Sequence, residues 1–122
     1  MAVIFYTEST PVVATATAAA ATATATLTSV PGRIAYITGF VVSGLGATAA
    51  TASAVTVTGV QGGTQTYQFN VPAGATVAAT PLQINFPLPI PATGFNTNIV
   101  VSAASFGAGN TNANVTAYGY LK

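Results

Sequence analysis

Glu8, Arg33 and Lys122 are the only side chains with a formal charge in this 122-residue sequence, and Asp, His, Cys and Trp are absent. One carboxylate cannot supply the acid/base pair of a glycosidase. Without His there is no triad, and without a second ligand Glu8 holds no metal. The chain is therefore expected not to be an enzyme and to carry no cofactor. Two cations and a net charge of +1 are too few to displace counterions from a phosphate backbone, so no nucleic acid partner is expected. Glu8 reads either as a solvated turn residue or as one half of an ion pair with Arg33 or with the Lys122 end of a neighbouring chain. Such a pair would fix register between subunits, and more so if partly buried. Arg33, just after Pro31-Gly32, reads as surface decoration or as a contact residue, since Arg is enriched at interfaces.

Other patterns are weaker. Gly44-Leu-Gly-Ala-Thr-Ala49 follows a strand pattern and superficially matches a dinucleotide fingerprint, but no helix pattern or acidic residue follows it. Asn114-Val-Thr116 matches a glycosylation acceptor. Tyr36, Tyr67, Tyr118 and Tyr120, with nearby Asn and Gln, have the chemistry to stack on sugars. Their plainer reading is core for inward rings and subunit contacts for outward ones, with Tyr118 and Tyr120 on one face of the last strand.

The elements that would carry these residues are strands. Ala (25 residues) and Thr (21) dominate, while Glu, Lys, Arg and Met are scarce, so helix signals are poor. Residues 2–6 read as a short strand and residues 7–11 as a turn, giving an N-terminal arm or short strand over 1–11 ahead of a single sandwich domain over 12–122. No export signal is apparent at the start. The Ala/Thr tract at 12–30 lacks the Leu, Ile and Phe density of a membrane span, so no membrane partner is expected. Its threonines fall on odd positions at 15 and 17, then on even positions at 22, 24, 26 and 28. A period-2 pattern that changes parity is two strands, or one with a bulge, breaking near residues 18–21; a flexible tether is the alternative. Pro31-Gly32 is a turn and residues 34–42 a hydrophobic central strand. Residues 44–53 read as a loop, and 54–60 as a strand with Val inward and Thr outward. Gln61-Gly62-Gly63 closes a hairpin to 64–71, where Tyr67, Phe69 and Val71 share a face. Leu82, Ile84 and Phe86 alternate with Gln83 and Asn85. Pro87, Pro89 and Pro91 cannot donate to a ladder, so that segment is an edge or a crossing loop. Residues 98–104 read as a strand, 106–112 as a loop, and 113–121 as the last strand. About eight strands with turns every 8 to 12 residues predict an all-β fold, an antiparallel two-sheet β-sandwich that is jelly-roll-like, with an immunoglobulin-like sandwich second.

Gly32-Arg-Ile-Ala-Tyr-Ile-Thr-Gly-Phe40, Ala54-Val-Thr-Val-Thr-Gly59, Ser105-Phe-Gly-Ala-Gly-Asn-Thr-Asn112 and Val115-Thr-Ala-Tyr-Gly-Tyr-Leu121 carry a resemblance of style and composition over residues 30–122. The chain resembles small virion structural proteins of tailed bacteriophages, in particular capsid decoration or cement proteins with a β-sandwich fold. Its last strand is also similar to that of trimeric jelly rolls of the tumour-necrosis-factor and complement-C1q type. The resemblance implies homotrimers on the capsid surface that clamp the major capsid protein. It places no site residue. A receptor- or glycan-binding head of a phage fibre or adhesin is the competing expectation. The interface residues expected from the sequence are Glu8, Arg33, Tyr118 and Tyr120.

With no His or Cys, no side chain that ordinarily titrates between about pH 5 and 9 is present. Thermal stability is expected to be flat across that range, as read by the melting midpoint in circular dichroism. A shift of more than about 10 °C would reveal a coupled group.

Overall fold

The computed structural model describes residues 9–47, 49–74, 76–105 and 112–122. The strand expected at 2–6, Glu8 and residues 106–111 of the loop expected at 106–112 lie outside the described residues. The described residues form eight strands and no helix: β1 (Thr10–Ala19), β2 (Ala23–Leu27), β3 (Ala35–Leu45), β4 (Thr51–Thr58), β5 (Gln65–Val71), β6 (Leu82–Pro91), β7 (Ile99–Ala103) and β8 (Asn112–Leu121).

The pairing is nested. β1 pairs with β8, β2 with β7, β3 with β6 and β4 with β5, all antiparallel. This is one long hairpin, turned between β4 and β5 and then rolled up. Two further ladders, β3–β8 and β4–β7, join it into a β1-β8-β3-β6 sheet and a β2-β7-β4-β5 sheet. That strand order is a jelly roll. The turn at its tip rests on glycine: Gly62 and Gly63 have φ of 92° and 96°, and the Gly63 amide donates to the Val60 carbonyl at 3.3 Å.

The Ala/Thr tract makes two strands, as its parity change requires. In β1 the even residues Val12, Ala14, Ala16 and Ala18 are half-buried while Thr15 and Thr17 face out; in β2 the odd residues Ala23, Ala25 and Leu27 are buried while Thr24 and Thr26 face out. The break falls where Ala20 adopts φ of 52°. Two boundaries differ from the sequence reading. Thr10 and Pro11 are not the end of a turn but the first residues of β1, which is permitted because β1 is an edge strand. The expected loop at 44–53 is shorter, because β3 runs on through Leu45 and β4 begins at Thr51. Small residues there allow pairing that a local turn signal does not reveal.

The core is asymmetric. On the β1 and β2 side the inward residues are mostly Ala, and there the backbones of the two sheets approach most closely, β2 lying against both β1 and β8. On the β5 and β6 side the filling is Phe69, Val71, Ile84 and Phe86, with Phe40 of β3 between the rings of Tyr67 (centroids 5.4 Å apart, edge-on) and Phe86 (6.3 Å). The sandwich is a wedge, thin where it is built of Ala and thick where it is built of aromatics.

β6 is an edge strand, as its prolines require. Ile37 pairs with Ile90 and Gly39 with Asn85, so residues 86–89 arch opposite Thr38 alone and leave Leu88 81% exposed. Thr38 is also the extra residue in the β3–β8 ladder, and its hydroxyl donates to the Tyr118 carbonyl at 3.1 Å. The bulge brings β3 so close to β8 that a Cβ on Gly119 would collide with the Tyr36 carbonyl oxygen and stand 3.0 Å from Leu27 Cδ1. Gly119→Ala is expected to lower stability by about 1–3 kcal/mol, read from the urea midpoint. An unchanged midpoint would show that the bulge relaxes freely.

Candidate interaction surface

Partners in an antiparallel ladder point to the same face of a sheet, so register reads directly as surface. On the outer face of the β1-β8-β3-β6 sheet, one row runs Pro11, Tyr120, Tyr36, Pro91 across all four strands. The Tyr36 and Tyr120 rings stack with centroids 4.9 Å apart and planes 11° apart, close to the spacing of neighbouring strands. Rings stacked this way stand on edge, with their faces turned to each other and toward the proline positions. The next row runs Val13, Tyr118, Gly39, Asn85, in which Val13 is 64% and Tyr118 42% exposed. Beyond it the face turns polar, with Thr15, Thr116 and Gln83 around Val41, and Thr15 and Thr116 share a hydroxyl contact at 3.2 Å.

The result is a tyrosine–proline corner at one end of one sheet face, with no charged residue in either row. Arg33 anchors its margin. The guanidinium donates from Nη1 to Thr10 Oγ1 at 2.9 Å and from Nη2 to the Leu121 carbonyl at 3.2 Å. It therefore ties the first residue of β1 to the last of β8. Beside it Ile34 and Lys122 exchange two backbone hydrogen bonds of 2.9 Å, which extend the β3–β8 ladder.

The opposite sheet presents a different chemistry. Thr24, Ser102, Thr56 and Thr66 form a hydroxyl row across all four strands, with Thr24 and Ser102 in contact at 3.3 Å. This face is polar and uncharged, with methyls between its hydroxyls.

Of the sequence-expected contact residues, Tyr118 and Tyr120 share the corner, Arg33 is half-buried at its edge, and Glu8 lies outside the described residues. Both readings of Glu8, as a solvated turn residue and as half of an ion pair, therefore fall outside the described residues. Sequence reasoning did not find the pairing of Tyr36 with Tyr120, nor Pro11 and Pro91 as its flanks. No local signal encodes them, because they are brought together by ladders closing 84 positions apart in the case of the two tyrosines (120 − 36). The described residues hold no group of three or more His, Cys, Asp or Glu side chains. What this surface offers is ring edges, methyls and hydroxyls.

No family model matches this chain, and no curated protein sequence matches it.

Replacing Tyr120 by Ala removes a stacked cross-strand pair, which is expected to cost about 0.5–1.5 kcal/mol beyond lost burial. A double-mutant cycle with Tyr36→Ala, followed by urea denaturation, isolates that coupling. Additive losses would show that the stack is geometric only.

Proposed function

We propose that this chain is a non-enzymatic structural protein of a bacteriophage virion, which decorates the capsid surface by binding the major capsid protein as a closed homotrimer. The observation that carries the reading is the tyrosine–proline corner. It is an uncharged, largely apolar patch, exposed at Pro11, Val13 and Tyr118 and half-buried at Tyr36, Tyr120 and Pro91, on a sheet face whose far end is polar. Exposed patches of this kind mark protein contact sites. Tyr is enriched in the centres of such contacts and charge is depleted there, as it is here. The jelly-roll order adds support by analogy, since viral capsid domains share it, although lectin domains do too. The upright stack favours a protein partner over a sugar, because Tyr36 and Tyr120 turn their ring faces to each other. Near-neutrality suits many copies packed closely on one particle, where like charges would repel.

The test is electron microscopy of particles purified with and without the protein. The expected result is three-fold density at fixed symmetry positions, with occupancy reduced at least ten-fold by Tyr118→Asp at unchanged circular dichroism. Absence from the particles, or full occupancy by the variant, overturns the reading.

A further inference from the structure

Four strands form the edges of the two sheets: β1 and β6 in one, β2 and β5 in the other. Three are shielded. β1 and β2 pack on one another, β2 is only 5 residues long, and β6 carries Pro87, Pro89 and Pro91. β5 differs. Its seven residues, Gln65–Val71, include no proline, glycine or charge. Such an edge presents a row of backbone donors and acceptors to any strand that approaches. A groove of about 430 Å³ opens beside it, lined by Phe69 and Leu82, by the polar Gln68, Asn70 and Thr80, and by Pro72 and Pro81 of the connection that follows β5. The groove lies on the thick, aromatic side of the wedge.

We propose that the β5 edge is an acceptor for residues 2–6 of a neighbouring copy, which add to the β2-β7-β4-β5 sheet as a further strand. Three observations select this occupant. Ala2-Val-Ile-Phe-Tyr6 has no proline, glycine or charge, so nothing in it blocks a ladder. Its alternate side chains are apolar on both faces, so either register turns hydrophobic groups into the groove beside Phe69 and Leu82. The third observation is where the segment joins the sandwich. β1 begins at Thr10 on the sheet edge opposite β6, the side away from β5. The four steps from Thr10 back to Tyr6 span at most about 14 Å when extended. Reaching a strand position outside β5 of the same copy takes roughly 22 Å, from four strand spacings and one sheet separation at right angles. The arm therefore reaches another copy's edge and not its own.

Donor and acceptor on opposite sides of one molecule make a head-to-tail contact, which closes as a ring when the rotation permits. This main-chain exchange is independent of what the ring is mounted on. It rests on the self-association in the reading above but not on the capsid.

The cysteine-free sequence makes cross-linking specific. Full-length variants carrying Ile4→Cys or Phe5→Cys, one for each register, together with Thr66→Cys, Gln68→Cys or Asn70→Cys on the outward face of β5, are oxidised and run on non-reducing gels beside each single variant. At least one pair is expected to give covalent dimers and trimers that the single variants lack. Light scattering at low micromolar concentration then compares the full chain with one lacking residues 1–8. The truncated chain is expected to be a monomer with unchanged circular dichroism, and a synthetic peptide of residues 1–8 is expected to bind it. Failure of all six pairs to cross-link overturns the proposal, as does an oligomer of undiminished size without the arm. Should truncation abolish the β spectrum, the full-length cross-links decide. A monomeric full chain would instead sink the self-association reading itself, and this inference with it.

Discussion

The pairing of β1 with β8 is the interaction on which the rest of the structure depends. It joins the first described strand to the last through ten register pairs, from Thr10↔Leu121 to Ala19↔Asn112. β8 in turn pairs with β3, so the β1-β8-β3-β6 sheet is complete only when the first and last described strands have met. Side chains do little to enforce this on the β1 side, where Ala and Thr dominate. Backbone hydrogen bonds, each modest in net terms but costly to leave unmade when buried, carry the ladder. Arg33 reinforces the junction at its open end by reaching both strands.

The same Ala-rich composition shapes the core. Methyl groups on β1 and β2 let the sheets close together, while Phe40, Tyr67, Phe69 and Phe86 hold them apart on the other side. Close packing at both ends then requires a wedge and not parallel layers, since interiors tolerate few voids. Its thin side is closed by β1 against β2. Its thick side ends in two edge strands with different defences, prolines in β6 and none in β5. The polarity of the molecule thus follows from where the sequence places its small and large residues.

Much of this architecture was legible in the sequence. The parity change in the Ala/Thr tract located the β1–β2 break, because side-chain direction alternates strictly along a strand. The prolines at 87, 89 and 91 marked an edge because they cannot donate. The valines of β4 and the aromatics of β5 announced their inward faces, and Val55, Val57, Phe69 and Val71 are buried. Less legible was anything set by register between distant strands. Pro11 looked like a turn residue because nothing nearby shows that Tyr120 will lie opposite it. Thr38 gives no local sign of its bulge, beside which the Tyr36 carbonyl closes on Gly119 across the ladder. The tyrosine–proline corner is a product of such pairings. The sequence therefore pointed to Tyr118 and Tyr120 as a pair on one strand, while the structure builds its stack between strands, from Tyr120 and Tyr36.

The register of the β1–β8 ladder also determines how the molecule bears load. Thr10 and Leu121 are direct partners, so both strand ends leave the sandwich from one point. Tension that separates those two ends acts along the hydrogen bonds and opens the ladder one rung at a time, starting beside Arg33. Tension along β1, with the pull resisted at the far edge of the molecule, acts across the bonds and strains all ten pairs together. The fold is weak as a zipper and strong in shear. Its mechanical resistance is therefore set by the direction in which a neighbour pulls on it.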